Sequence, residues 1–102
     1  MKRIYIVLKA EGKNKEIKGV YGSATEALSH VYTNLAKQEE YWDLYCRYAG
    51  ETANNYEQPL SCISWLAEEY IAWSPLSLEY SPEGEHRIAD GYSIHTTLVK
   101  EA

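Results

Sequence analysis

The sequence predicts an α+β fold in which a mostly antiparallel sheet of about four strands carries helices on one face, in the order β-β-α-α-β-β. Two observations predict it. Runs of β-branched and aromatic residues lie near both ends of the chain, and two segments with helical periodicity lie between them. With 102 residues the chain has the length of one domain, which we assign to residues 1–102.

The first two strands are predicted to form a hairpin. Residues 3–9 (RIYIVLK) are apolar on both sides, as in a central or covered strand, and residues 16–21 (EIKGVY) return after turn residues at 11–14. Gly19 interrupts the second strand, which is typical of a β-bulge or of a close packing point.

A helix is predicted to begin after Ser23. Ser23 and Glu26 have the spacing of a capping box, in which each side chain accepts a hydrogen bond from the backbone near the other. The apolar residues that follow recur at helical spacing: Ala24, Ala27, Leu28, Val31, Tyr32 and Leu35.

The helical pattern extends through residues 39–50 (EEYWDLYCRYAG), but its apolar stripe is rotated by roughly 80° from the first one. Either the helix breaks near residues 38–40, or one long helix turns its tyrosines toward a second surface. Tyr41, Tyr45 and Tyr48 have the spacing i, i+4, i+7. These rings pack against the second helix or point outward, and the sequence leaves both arrangements open.

The second half of the chain is predicted to contain a helix over residues 59–73, stopped by Ser74-Pro75, a short strand over residues 76–80, and a final hairpin. Asp90-Gly91 is a strong signal for a two-residue type I′ turn. Uninterrupted pairing from that turn places His86 directly opposite His95.

Charge divides the chain into two unequal parts. Residues 1–37 carry a net charge of +4, and residues 38–102 carry −9. Direct binding of nucleic acid is therefore not expected, because it needs clustered Lys and Arg. The acidic part favours instead a protein partner with a basic surface.

The remaining signals argue for a cytoplasmic protein without catalytic machinery. No apolar run reaches the ~20 residues of a membrane span, and the N-terminal run lacks the features of a signal peptide. Cys46 and Cys62 are predicted to be buried free thiols. The sequence has no catalytic or phosphate-binding motif, and we predict no catalytic residue, metal or cofactor. One alternative is a small enzyme or metal protein built on His86 and His95.

The junction GVYGSATEAL, residues 19–28, resembles that of small bacterial and phage α+β proteins with the pattern G-V-Y-x-S-x-x-E-A and a closing Y-x-I strand. The matching residues are Gly19, Val20, Tyr21, Ser23, Glu26, Ala27, Tyr92 and Ile94. Residues 38–75 have no counterpart in the pattern. In general character the chain is similar to phage-encoded anti-defence proteins, including anti-CRISPR proteins. This resemblance implies an accessory protein that inhibits a host protein such as a CRISPR effector.

Together these features predict a non-enzymatic module that binds a basic protein through an acidic, tyrosine-rich helical surface. The residues expected to contact the partner are Glu39, Glu40, Tyr41, Asp43, Tyr45, Tyr48, Glu51, Tyr56 and Glu57. A further alternative is a homodimer in which the three tyrosines of residues 41–48 form the self-contact.

Overall fold

The sheet contains β1 (Lys2–Glu11), β2 (Asn14–Tyr21), β3 (Gly84–Ala89) and β4 (Tyr92–Val99). All its pairings are antiparallel and the strand order is β2-β1-β4-β3. This arrangement comes from a computed structural model that describes residues 2–49, 59–71 and 73–100. β1 lies inside the sheet, as its two apolar sides predict.

The predicted bulge in the first hairpin is present. Val7 pairs with Gly19 and Leu8 pairs with Ile17, so that Lys18 is the additional residue on β2. A Cβ atom at Gly19 would lie 2.8 Å from the Tyr21 ring, so that a larger residue at this position would have to displace the ring.

The helices are α1 (Ala24–Ala36), α2 (Glu39–Ala49), α3 (Pro59–Trp65) and α4 (Pro75–Glu79), and a π-helical segment (Leu66–Tyr70) continues α3. α1 begins as predicted, with the Ser23 hydroxyl accepting a hydrogen bond of 3.2 Å from the Glu26 backbone N–H. The helix then breaks at residues 37–38, which decides between the two arrangements left open by the rotated stripes. Within the described residues, no helix combines the length and apolar character needed to cross a membrane.

The helices cover one face of the sheet, as predicted, and the core lies between the two layers. The sheet contributes the buried side chains of Tyr5, Val7 and Ile94. The helices contribute a larger set, which includes Ala24, Ala27, Leu28, Val31, Leu35, Trp42, Leu66 and Leu78. Burial of these side chains is the main favourable term in folding.

The predicted strand over residues 76–80 is wrong, because these residues belong to α4 and the turn after it. Ser74 and Ser77 form reciprocal caps: the Ser74 hydroxyl accepts from the Ser77 N–H at 3.1 Å, and the Ser77 hydroxyl accepts from the Ser74 N–H at 2.9 Å. Pro75 occupies the first helical turn, where its missing N–H has no cost. Leu78 is buried, whereas Leu76 and Tyr80 are exposed, so the alternation seen in the sequence has no counterpart in the packing.

The second predicted helix is also shorter than expected. Helical geometry ends at Tyr70, and Ile71 is extended, with its N–H bonded to the Leu66 carbonyl at 2.9 Å. Trp73 lies beyond the end of the helix, and its indole N–H donates to the Arg87 carbonyl of β3 at 2.9 Å. This bond joins the chain to the sheet edge instead of continuing the helix.

The predicted pairing of His86 with His95 is wrong. The two-residue turn at Asp90-Gly91 forms as expected, with positive φ at both residues and Ala89 opposite Tyr92. Arg87 then pairs with Ser93, so that Ile88 is an additional residue and the register shifts by one position. His86 consequently lies opposite Ile94, and Glu85 lies opposite His95.

Candidate functional site

The tyrosines predicted to meet a partner divide into two groups. Tyr41 and Tyr45 are 7% and 6% exposed, whereas Tyr48 is 61% exposed. The first two rings therefore belong to the protein's own packing. Of the two arrangements that the sequence left open, Tyr41 and Tyr45 adopt packing against the second helix. Only Tyr48 of the three points outward.

The charged residues predicted for the site lie at the surface where the structure describes them. Glu39 and Glu40 are exposed in the first turn of α2, and Asp43 is partly exposed one turn later. Carboxylates at this end of a helix interact favourably with its dipole. The predicted residues Glu51, Tyr56 and Glu57 lie outside the described residues.

The buried tyrosines of α2 pack against aromatic residues of the following helical unit. Tyr41 meets Tyr70 edge to face, with ring centroids 6.1 Å apart, and Tyr45 lies 6.0 Å from Trp65. Burial raises the pKa of Tyr41, and the carboxylates of Asp90 and Glu40 raise it further. A neutral phenol at this position is consistent with a structural role.

Among the described residues, six rings form one aromatic cluster between α2 and the unit made of α3 and the π-helical segment. Its members are Tyr41, Trp42, Tyr45, Tyr48, Trp65 and Tyr70. Trp65 is its centre, because its ring lies 5.4 Å from that of Tyr48 and 4.9 Å from that of Tyr70. Tyr48 and Tyr70 are exposed at the edge of the cluster. Trp65 and Tyr70 lie within the helix predicted over residues 59–73, so their contacts with α2 are the packing against the second helix that the sequence left open.

A hollow of about 430 Å³ lies at the exposed edge of the aromatic cluster, and we call it the acidic cleft. Its lining consists of Tyr45, Tyr48, Ala49, Leu60, Ser61, Ser64, Trp65, Glu68 and Glu69. Leu60 is an exposed apolar side chain on its rim. The cleft therefore combines aromatic and aliphatic walls with two carboxylates.

The carboxylates of α2 and of the cleft form no ion pair in the described part of the chain. There, Glu39, Glu40, Asp43, Glu68 and Glu69 all lie farther than 4 Å from any Lys or Arg nitrogen. The ion pairs of the described residues lie on the sheet, for example between Lys9 and Asp90 at 3.4 Å. Carboxylates without an ion-pair partner, close to Tyr and Trp rings, form an environment that attracts cations.

The histidines of the final hairpin point to opposite faces of the sheet, since neighbouring positions along a strand alternate. His86 packs on the helix side, 5.2 Å from the Trp73 ring, and its Nε2 atom lies 2.7 Å from the Pro82 carbonyl oxygen. His95 lies on the other side, opposite Glu85. The register therefore does not bring the two imidazoles together on one face of the hairpin.

Two other titratable features have structural explanations. The Tyr21 hydroxyl and His30 Nδ1 are 2.6 Å apart and join β2 to α1, while burial, together with Lys18 and Lys37, lowers the pKa of His30. Cys46 and Cys62 are buried and form no disulfide, as predicted. Burial, with a smaller effect from Cys46, raises the pKa of Cys62 to about 11, which is the opposite of what a nucleophilic thiol requires.

Comparison with protein-family models, with curated proteins and with solved structures finds no significant match to this chain.

Proposed function

We propose that this protein is a non-enzymatic binding module that holds a basic segment of another protein in the acidic cleft. The observation that carries the proposal is the exposure of Tyr48 and Tyr70 beside Glu68 and Glu69, which have no cationic partner among the described residues. Solvent-exposed aromatic rings with uncompensated carboxylates fit a Lys or Arg side chain, whose alkyl stem is apolar and whose head is charged.

The proposed contact surface keeps part of the set predicted from the sequence and changes the rest. The residues that remain candidates for contact are Glu39, Glu40, Asp43 and Tyr48. Tyr41 and Tyr45 are buried and support the exposed rings of the aromatic cluster. The unit made of α3 and the π-helical segment adds four residues to the surface: Leu60, Glu68, Glu69 and Tyr70. Because Tyr41 packs on Tyr70, the start of α2 lies beside the end of the π-helical segment, and acids from both elements can act on one partner.

A basic surface of this kind is typical of proteins that bind nucleic acid. The resemblance of residues 19–28 to those of phage proteins, with the chain's likeness to anti-defence proteins, points to inhibition of a host nucleic-acid-binding protein as the biological role. In that role the acidic cleft would compete with phosphate groups for the same Lys and Arg side chains.

The proposal is tested by calorimetric titration with a 12-residue peptide of alternating Lys and Arg, compared with a peptide of alternating Ser and Gly. We expect binding of the basic peptide alone, and an affinity that falls as NaCl is raised from 50 to 500 mM, since salt screens exposed charges. Tyr48→Ala should weaken binding about fivefold, because it removes one cation–π contact of roughly 1 kcal/mol.

Charge reversal separates the cleft from the overall negative charge of the protein. The double variant Glu68→Lys/Glu69→Lys should weaken peptide binding by at least about tenfold, since it replaces attraction by repulsion. Glu79→Lys is the matched control for the single variant Glu68→Lys. Glu79 is exposed on α4 and does not line the cleft. Equal losses from Glu79→Lys and Glu68→Lys would show that only net charge matters, and would reject the cleft as the binding site.

A further inference from the structure

The face of the sheet opposite the helices carries a continuous apolar surface. Residues paired across antiparallel strands share a face, and the register places six aliphatic side chains on this side. These are Ile4, Ile6 and Leu8 of β1, Ile17 and Val20 of β2, and Val99 of β4. Ile17 and Val20 are 62% and 57% exposed. We call this surface the open face.

The apolar side chains of the open face are concentrated on its β2–β1 half. Val20 lies beside Ile6, and Ile17 lies beside Leu8. The β4–β3 half is polar: the Ser93 hydroxyl donates to Glu85 at 2.8 Å, and Lys15 reaches from β2 to form an ion pair with Glu85. Contiguous apolar surfaces with polar margins on soluble proteins are typical of interaction sites.

We propose that the open face binds a second copy of this chain, giving a symmetric dimer with the two sheets face to face. In a two-fold contact the same patch meets itself, so an apolar half rimmed by polar residues is self-complementary. Sheets that pack in this way interdigitate their inward-facing side chains at a separation of about 10 Å.

The size of the open face is sufficient for such a dimer. Four strands that are spaced by about 4.8 Å and average eight residues, at about 3.3 Å each, give a surface of roughly 500 Å² per protomer. Two protomers then bury about 1,000 Å², the lower limit for a specific protein–protein interface.

The negative charge of the helical layer does not oppose such a dimer. By the strand register, the open face carries Lys2, Lys15 and Arg87 against Glu85. The acids of α2 and the π-helical segment belong to the helical layer on the opposite side of the sheet. Dimerisation through the open face therefore keeps these acidic surfaces apart, although each chain has a net charge of −5.

The free edge of β2 is a less suitable contact than its face. Lys18 forms a bulge there and binds Glu16 at 3.1 Å, and charged residues and bulges are common means of preventing edge-to-edge pairing. The exposed aliphatic side chains of β2 point out of the sheet plane instead, so the contact they favour is between sheets.

Sedimentation velocity of the full chain from 5 to 200 µM tests the proposal. We expect the mass to rise with concentration toward twice 11.7 kDa. The double variant Ile17→Lys/Val20→Lys should remain monomeric over the same range, a loss of at least about tenfold in dimer affinity. Both side chains are already exposed in the single chain, so the variant should fold, which circular dichroism checks.

Two matched variants assign the dimer to this surface. Leu76→Lys is the match for Ile17→Lys alone: it places one lysine charge on an exposed aliphatic position of α4 and should leave the dimer intact. Tyr48→Ala, which removes the exposed ring of the acidic cleft, should also leave it intact. A wild-type chain that is monomeric at 200 µM would overturn the proposal. So would dissociation by Tyr48→Ala together with a stable Ile17→Lys/Val20→Lys dimer. Neither result bears on peptide binding by the cleft.

Discussion

At the level of single residues, the polar tips of aromatic side chains fix the contacts between layers. The Tyr32 hydroxyl donates to the Trp73 carbonyl at 2.6 Å, and the Trp73 indole donates to the Arg87 carbonyl at 2.9 Å. These two bonds connect α1 to β3 through one tryptophan. Phenylalanine, which the chain lacks entirely, could form neither bond.

Tyr32 should make the folded state sensitive to alkaline pH. Burial raises the pKa of Tyr32 to about 12, above the ordinary tyrosine value of 10.0. The unfolded chain therefore loses this proton first, and the stabilisation is complete below pH 10 and disappears as the pH approaches about 12. We expect Tyr32→Phe to be less stable than wild type at pH 8 by about 1 kcal/mol, for the lost hydrogen bond. The difference should shrink above pH 10.

Urea denaturation of both proteins between pH 8 and pH 11.5 measures this difference. Comparing the two proteins cancels the titration of the other tyrosines and lysines. A difference in unfolding free energy that stays constant across this range would show that Tyr32 ionises as easily in the folded chain as in the unfolded one.

At the level of elements, α4 depends on its two serines. It has only five residues, too few to be stable without caps and packing, and Ser74 and Ser77 satisfy backbone donors at its start. We expect Ser74→Ala to lower the free energy of unfolding by about 1 kcal/mol. Ser29→Ala, on the exposed side of α1, is the control and should change it by less than about 0.5 kcal/mol. Equal urea midpoints for the two variants would contradict this account.

The elements whose structure could be predicted are those decided by local chemistry. The spacing of Ser23 and Glu26 and the apolar period after it identify α1, and Asp90-Gly91 identifies the final turn with its two positive φ angles. The two apolar sides of residues 3–9 identify the central strand. Each of these signals lies within a few residues of the structure that it determines.

The elements that were missed depend on distant contacts. The register of β3 shifts because Ile88, half-buried against the core, is accommodated as a bulge, and no pattern within the hairpin indicates this. In residues 74–80 the alternating apolar pattern predicted a strand, whereas the Ser74 cap is typical of a helix start. The helix forms, and it places Leu78 in the core. The burial of Tyr41 and Tyr45 depends on Trp65 and Tyr70, which the sequence places at least 20 positions away.

At the level of the whole molecule, the helical layer and the open face present different surfaces. The helical layer carries the acidic cleft with its exposed rings, and the other side of the sheet carries aliphatic side chains with a small positive charge. The sheet and the core separate them, so the two proposed contacts do not compete for the same residues.

Because the two surfaces share no side chains, substitutions on them should act independently. Peptide affinity should fall by the same factor for Tyr48→Ala in the wild-type chain and in the Ile17→Lys/Val20→Lys background. The measurement is calorimetry on the four proteins of this cycle. A coupling free energy above about 0.5 kcal/mol would instead show that peptide binding and self-association are linked.

The bulge at Ile88 has a consequence for comparing this chain with others of different length. The additional residue is absorbed between Arg87 and Ala89, so a homologous chain with a one-residue gap at that point would keep every other side chain of the hairpin on the same side. Positions before and after Ile88 therefore have to be aligned separately, and a shift of one in this hairpin does not by itself indicate a different fold.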